Sequence, residues 1–431
     1  MVIGGGSAGI SCATRASSLG AKVCLIERKN LGGTCVNRGC VPKKLMWEAG
    51  RVWKDARELE TVGIAPNLGP FDLQALKTRI SDKIEAIRES YASSLEDAGV
   101  TVLRADAELL DDKQVRVKGR ILSAKNIVLA TGGSPILLDI PGKDLLSTSR
   151  DVFEWTEIPK SLLVIGGGYI GCEFASIFRA LGSDVCIVDA GDRLLEQFDE
   201  VAVGHAQDIL TARGIKVRLS VEPTSLSKTA GKITVEFDSG PAEAVTHVLC
   251  AVGRSPNIDE LGPVTESMER AENGALKVTD RLETSASGIY AIGDAADRLP
   301  LTPVATRDGE ALADILFGEG ARLVDLDLVS SATFLYPPIA QVGETESGTA
   351  FDGITTPLPS GVLSAETIEV YGKINSDSAT GQLKGAVLIG HSAADEIAWI
   401  ASCLAAGGRS EDLTKATAVH PTLAEEVVGR R

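Results

Sequence analysis

The chain has 431 residues, 44% apolar and 24% charged, with a net charge of −16. A length of this order suits about three domains, and so negative a surface repels phosphate backbones, so nucleic acid is not expected as a partner. No apolar run reaches the ~18 residues of a membrane span, and the best candidate, around Ser161 to Phe178, is broken by glycines and Glu173.

The chain opens on MVIGGGSAGISCA, which has no basic leader and runs straight into a glycine-rich motif, so it is not read as a signal peptide. A cytoplasmic protein is expected. The stretch VIGGGSAG (2–9) leads into a helix-like segment and then KVCLIE, ending at Glu27. This is the pattern strand, tight turn, helix, strand, with G-x-G-x-x-G at Gly4, Gly6 and Gly9. The first glycine permits the turn, the second lets the backbone approach a pyrophosphate, and the third lets helix and strand pack closely. The helix N-terminus faces the phosphates and the terminal acid can bind ribose hydroxyls.

Next comes GGTCVNRGCVPKK (32–44), with Cys35 and Cys40 five positions apart. A metal site, a structural staple and a redox pair are the three readings. The spacing fits a zinc knuckle poorly, and no second Cys or His pair lies nearby. Five residues of regular helix rise ~7.5 Å, more than the ~4.4–6.8 Å a disulfide tolerates between Cα atoms. Gly39 allows a tight turn and Pro42 suits the start of a helix, which puts Cys40 near a helix N-terminus, where a thiolate is stabilised.

Further along, 101–122 alternates enough to read as β-structure, and IVLATGGSP (127–135) runs from an apolar strand into a Gly turn. The opening motif then repeats. VIGGGYIG (164–171) supplies Gly166, Gly168 and Gly171, and DVCIVD ends at Asp189, with the same interval from first glycine to acid as in the first copy. A lone motif of this kind is weak, but two copies with matching strand, helix and acid imply two bound dinucleotides. VLCAVGRSPN (248–257) and GIYAIGDAA (288–296) are further apolar strands ending in Gly turns, the second followed by Asp294. Beyond about 326 come strands at IEVYGKI and GAVLIG, a helix at DEIAWIASCLAAG, and a final HPTLAEE.

Together, GGTCVNRGCVPKKLMW, both dinucleotide motifs, ATGG, AVGRSPN, GIYAIGD, LTPVA and AVHPTLAEE resemble the FAD-dependent class I pyridine nucleotide-disulfide oxidoreductases, in the branch of the glutathione reductases. The resemblance covers essentially the whole chain. It implies an α/β fold with two Rossmann-like dinucleotide-binding domains, for FAD and NAD(P), and a C-terminal α+β dimerisation domain. The expected boundaries are 1–145 for the FAD domain, 146–254 for the NAD(P) domain, 255–325 for a central segment completing the FAD domain, and 326–431 for the interface domain.

The resemblance also implies roles. FAD would meet Gly4, Gly6, Ser7 and Gly9 at its pyrophosphate and Glu27 at its adenosine ribose, with Thr34, Lys43, Ala105, Gly132, Asp294 and Thr302 also lining it. Lys43 looks like the lysine near flavin N5, paired with Glu173. The nicotinamide nucleotide would meet Gly166, Gly168, Ile170, Gly171, Glu173, Asp189 and Gly253, with Tyr169 shielding the flavin. Cys40 would be the thiol facing the flavin and Cys35 the one that attacks substrate, the two forming a reversible disulfide. His420 and Glu425 look like the acid–base pair serving the partner subunit of a homodimer, across a cis His420–Pro421 bond. No metal is expected, and the other cysteines and histidines read as structural.

A small disulfide is the implied substrate, glutathione disulfide first, with Tyr91 and Arg307 near it. Glu310 stands where many glutathione reductases have an arginine for a glutathione carboxylate. A dihydrolipoamide dehydrogenase-like enzyme is the alternative, against which CVPKK and LTPVA argue; a flavin-binding scaffold without turnover is the remote one. NADH is expected over NADPH, because Ala190 and Glu196 fill the places of the arginines that grip a 2′-phosphate. Two departures stand out. The chain begins late, for which a weakened edge strand and a truncated chain are the two readings, and 343–360 is shorter than the helix the family has there.

Overall fold

The computed structural model describes residues 1–345, 354–359, 367–420 and 422–428. The fold is mixed α/β, and the chain divides into two compact units. One unit comprises 1–43, 77–136 and 254–324; the other comprises 44–76, 137–253 and 325–431.

The first unit is built on a parallel sheet in the order Ile289–Ala291, Ile127–Leu129, Val2–Ile3, Cys24–Glu27, Thr101–Arg104. Its strands are short and almost wholly apolar, as a parallel sheet buried on both faces requires. The opening strand Val2–Ile3 is indeed brief, but it is the central strand and not an edge. That corrects the edge-strand reading of the late start. Two neighbours hold it, Val2 opposite Leu25 and Val128, and the terminal ammonium of Met1 donates to the Asn126 carbonyl at 2.8 Å. The helix Ser7–Ser18 lies against the helix Thr302–Phe317 so closely that a Cβ on Gly309 would stand 2.4 Å from the Ala8 carbonyl oxygen.

The second unit contains a matching parallel sheet, ordered Lys216–Arg218, Asp184–Val188, Ser161–Ile165, His247–Cys250, Ser147–Thr148. The strand before each glycine-rich turn is central in its sheet, and the strand ending in the acid lies beside it. The same unit holds a five-stranded sheet ordered Ser331–Thr333, Ile339–Gly343, Leu383–Ile389, Thr367–Ser376, Ile354–Pro359, antiparallel throughout. The helix Ala393–Ala405 packs its buried Ala393, Ile397 and Ile400 into the core of that sheet. Half of the stretch 343–360 whose length departs from the family, and the His420–Pro421 bond, lie outside the described residues.

The β-rich reading of 101–122 holds, as four short strands between Thr101 and Ser123, the first of which joins the parallel sheet. The helix Leu73–Asp97 was not read from the sequence, although Leu73, Ile80, Ile84 and Leu95 are buried on it at near-helical intervals.

Both sheets place their glycine turns under one steric constraint. A Cβ on Gly9 would lie 1.9 Å from the Gly4 carbonyl oxygen, and one on Gly171 would lie 1.9 Å from that of Gly166. Backbone cannot yield as a flexible side chain does. Gly9→Ala and Gly171→Ala are each expected to lower stability by on the order of 3 kcal/mol, read as a fall in Tm. Gly20→Ala, at φ +85° with nothing within 4 Å of the added Cβ, is expected to cost only about 1 kcal/mol.

Candidate active site

The two glycine turns are built alike. Gly4 and Gly166 both sit at φ +111°, where a side chain is strained and would in any case strike the Ala130 or Ala251 carbonyl. Each turn delivers its chain into a 12-residue helix, Ser7–Ser18 or Tyr169–Ala180. The N-caps are Gly6 and Gly168, which bring no side chain to the first-turn N–H groups, and neither first turn contains an acid. A helix start left positive in this way is suited to a pyrophosphate.

The acids do more than wait for a ribose. Glu27 Oε2 accepts from the Gly5 N–H at 2.7 Å and Oε1 from the Lys29 N–H at 2.6 Å. Asp189 Oδ2 accepts from the Gly167 N–H at 2.5 Å and Oδ1 from the Gly191 N–H at 2.6 Å. Each carboxylate therefore ties its turn to the end of the neighbouring strand, a task the sequence reading did not assign. Around the first turn, Ala105 donates its N–H to the Glu27 carbonyl at 3.0 Å, and Gly132 stands at φ +67°. In the second unit Gly253 stands at φ +132°, Ile170 is half-buried and Tyr169 exposed.

The two cysteines straddle a break in the helix. Thr34 and Cys35 lie in the short helix Gly33–Arg38; Gly39, at φ −152° and ψ −116°, interrupts it, and Cys40–Arg57 follows. The second helix begins at Cys40, two residues earlier than Pro42 had suggested, because the Gly39 carbonyl already accepts the Lys43 N–H at 2.9 Å. Cys40 is thus the first residue of an 18-residue helix whose first turn has no acid. Both cysteines are thiols here, Cys40 exposed and Cys35 half-buried. Cys35 is held far above the usual thiol range, first by its hydrogen bond to the Cys40 sulfur, then by burial, while Thr302 and Ser7 act in the opposite sense. Cys40 Sγ lies 3.6 Å from Thr302 Oγ1, and Thr302 opens the helix Thr302–Phe317.

The surroundings of this pair include groups the motifs did not reveal. Arg88 Nε donates to Asn37 Oδ1 at 2.6 Å, and Asn37 Nδ2 donates to the Leu31 and Gly33 carbonyls, so the long helix Leu73–Asp97 is tied to the cysteine helix. Tyr91, on the same long helix, has its phenol pushed up by burial and then by the charge of Cys35. Asp294, at the start of a short 3-10 turn, pairs with Arg254 at 3.4 Å, and Arg254 also donates to the Gly133 carbonyl at 2.7 Å. Arg254 stands in AVGRSPN, so the motif marked the place without showing the partner. Arg307 and Glu310 are both exposed on the helix Thr302–Phe317.

In the second unit His420 Nδ1 and Glu425 Oε2 are 2.7 Å apart, with the histidine 77% exposed and its neighbour Val419 74% exposed. Glu173 is buried, and its Oε1 accepts the Phe334 N–H at 2.9 Å. Lys43 is half-buried in the first turn of its helix. Of the other histidines, His205 stacks on Tyr371, His247 packs at a tilt against Trp155, and His391 is exposed. Among the described residues no cluster of His, Cys, Asp and Glu could hold a metal, and no helix is long and apolar enough to cross a membrane.

Two five-stranded parallel sheets with paired glycine turns, a Cys-x4-Cys across a helix break and a C-terminal antiparallel sheet define a two-dinucleotide redox protein. Residues 1–309 match the model of the pyridine nucleotide-disulphide oxidoreductases, and 329–431 match their dimerisation domain. The chain belongs to this family. It is 36% identical to the glutathione reductase of Burkholderia cepacia over 445 residues, covering 100% of this chain and 97% of that one. It is 33% identical to the glutathione reductase of a Nostoc species (100% and 98% covered), and 32% identical to the mercuric reductase of Staphylococcus aureus (99% and 80% covered). Among solved structures it resembles the HOCl-induced flavoprotein disulfide reductase RclA of Escherichia coli, determined as a Cu(II) complex. That match has a TM-score of 0.87, 27% identity, and coverage of 99% of this chain and 97% of that chain. The protein is therefore an NAD(P)H-dependent disulfide oxidoreductase that uses FAD and a pyridine nucleotide. The uncapped helix starts beyond Gly4 and Gly166 fit the two pyrophosphates.

The cysteines outside the pair were all expected in the core. Cys12, Cys172, Cys186 and Cys250 are buried there, whereas Cys24 and Cys403 are only partly covered. Burial pushes the Cys12 thiol up to about 12 and the Cys186 thiol up to about 11. Thiolates are the reactive form. Brief alkylation of the reduced protein at neutral pH, followed by peptide mass spectrometry, should label Cys40 first and leave Cys12, Cys172, Cys186 and Cys250 unmodified until the protein is denatured.

Proposed function

We propose that the enzyme reduces a small disulfide, glutathione disulfide first among candidates, through Cys35 and Cys40, with NADH preferred as the electron source. The observation that carries this reading is the cysteine pair split by Gly39, with one sulfur at the start of a long helix and the other hydrogen-bonded to it. The likeness to glutathione reductases over the whole chain supports the substrate class.

In this reading Gly4, Gly6, Ser7, Gly9 and Glu27 hold FAD, together with Thr34, Ala105, Gly132, Asp294 and Thr302. Lys43, paired with Glu173, stands beside the flavin ring. Gly166, Gly168, Tyr169, Ile170, Gly171, Asp189 and Gly253 hold the nicotinamide nucleotide. FAD, when bound, supplies two-electron transfer between that nucleotide and the cysteine pair.

The chain's own groups carry the disulfide exchange. Cys35, which keeps its proton while hydrogen-bonded to Cys40, needs a base, and His420 from the partner subunit serves. The Cys35 thiolate attacks one sulfur of the substrate, breaking its S–S bond and forming a mixed disulfide. His420, oriented by Glu425, returns the proton to the departing thiolate. The Cys40 thiolate then attacks the Cys35 sulfur, breaking the mixed disulfide, forming the Cys35–Cys40 disulfide and releasing the second half of the substrate as a thiolate, which takes its proton from water. A thiol–thiolate pair and a disulfide have become a disulfide, a thiol and a thiolate, the last protonated by water. Tyr91 and Arg307 flank the substrate in this reading, and Glu310 turns a carboxylate toward the ground where a glutathione carboxylate is usually held.

The dimer reading is supported by the matched dimerisation domain and by the exposure of His420 and Val419 on the single chain. Mixing a Cys35→Ser chain with a His420→Ala chain is expected to restore about half a dimer's activity, one working site in each heterodimer, to two inactive parents. Recovery of no activity on mixing, with exchange of subunits demonstrated, contradicts a shared site.

The nucleotide preference rests on the loop after Asp189. Asp189 spends one lone pair of each oxygen on backbone N–H groups and keeps others for ribose hydroxyls. Arg193 donates to the Glu196 carbonyl at 2.8 Å within its own loop. A 2′-phosphate, at roughly −1.5 to −2 charge, would approach Asp189 with Asp192 and Glu196 close in sequence. Even ~1.4 kcal/mol of repulsion is a tenfold discrimination. We expect kcat/KM to favour NADH by about tenfold or more; equal values would show that Asp189 is not a ribose carboxylate.

A further inference from the structure

In the disulfide-reductase reading the reduced cysteine pair carries one negative charge between two sulfurs, and chemistry depends on which sulfur holds it. Two helix starts converge on Cys40. Cys40 is itself the first residue of Cys40–Arg57, and the first residue of Thr302–Phe317 brings its hydroxyl to within 3.6 Å of Cys40 Sγ. Neither first turn contains an acid. Leu301, the N-cap of the second helix, makes no side-chain cap, so nothing from the cap draws on that end of the helix.

We propose that Thr302 is the residue that fixes the charge on Cys40, by donating its hydroxyl hydrogen to the Cys40 thiolate. This rests on the disulfide-reductase reading above. A thiolate has no proton to give, so in the charged pair the hydroxyl is necessarily the donor and the sulfur the acceptor. Cys35 S–H donates to the same sulfur, and Ser7 donates to Cys35. The Thr302 hydroxyl also reaches Cys35. It can therefore turn to that sulfur when Cys35 loses its proton for attack, so one rotor serves both stages. The other titratable groups nearby are Tyr91, whose phenol is pushed up and stays neutral, and Lys43, one turn beyond Cys40.

The test uses the FAD-loaded protein after two-electron reduction, with Thr302→Val, Thr302→Ser and Thr302→Ala compared to wild type. Two readouts apply: the pH profile of Cys40 alkylation, followed by peptide mass spectrometry, and the long-wavelength charge-transfer absorbance between thiolate and flavin. Removing a hydrogen bond to a charged group changes an equilibrium by about tenfold. Thr302→Val is therefore expected to move both profiles to higher pH and, below the wild-type midpoint, to slow Cys40 alkylation by about tenfold. Thr302→Ser keeps the hydroxyl and is expected to track wild type. If the valine variant does not fold, the serine and alanine variants carry the comparison. Profiles that coincide with wild type in the variants lacking a hydroxyl overturn the proposal, as does a serine variant that behaves like alanine. Absence of the absorbance band from wild type itself would count against the disulfide-reductase reading, and the alkylation profiles would still decide the role of Thr302.

Discussion

The molecule depends on how closely a helix can approach the strand before it. In both dinucleotide units the third glycine of the turn faces the carbonyl of the first at a distance no side chain tolerates. That contact brings the helix start over the end of the sheet, and the acid on the adjacent strand holds the turn there through its backbone N–H groups. A phosphate site results whose positive charge comes from the backbone alone. It asks for no lysine or arginine, and so it is compatible with a chain of net charge −16.

The cysteine segment solves a related problem by breaking a helix and not by bending a turn. An unbroken helix would hold the two sulfurs too far apart to bridge. Gly39 ends one short helix and its carbonyl opens the next, so Cys40 gains the favourable end of a second dipole while Cys35 stays on the first. The asymmetry between the thiols, one exposed and at a helix start, the other half-buried and holding its proton, follows from this one residue.

Much of this was legible because glycines and acids at fixed intervals leave a strong imprint on a sequence. The paired turns, their acids, the strands that end in ATGG, AVGR and AIGD, and the β-rich 101–122 all appear where the pattern placed them. What escaped notice was of two kinds. The helix Leu73–Asp97 has its buried residues widely spaced among charged ones, so its periodicity was faint, and with it went the Arg88–Asn37 bond. The Arg254–Asp294 pair and the contact of Thr302 with Cys40 join residues 40 and 262 positions apart, and no local pattern records such a meeting. The start of the second cysteine helix was placed at Pro42 because proline is a visible marker, whereas the true start is set by a backbone carbonyl.

The interleaving of the chain has a bearing on synthesis. The second parallel sheet is complete once Cys250 has been made, whereas the first, though it begins at Val2, lacks its last strand until Ala291. Until then Ile127–Leu129 is an open edge of apolar residues, and the helix Ser7–Ser18 lacks the helix Thr302–Phe317 that covers it. Of the two parallel sheets, the one whose strands begin first is thus the later to close. Between the synthesis of Leu129 and that of Ile289 it presents an unpaired strand edge, and the helix face stays uncovered longer still, the surfaces that attract chaperones and promote misassociation.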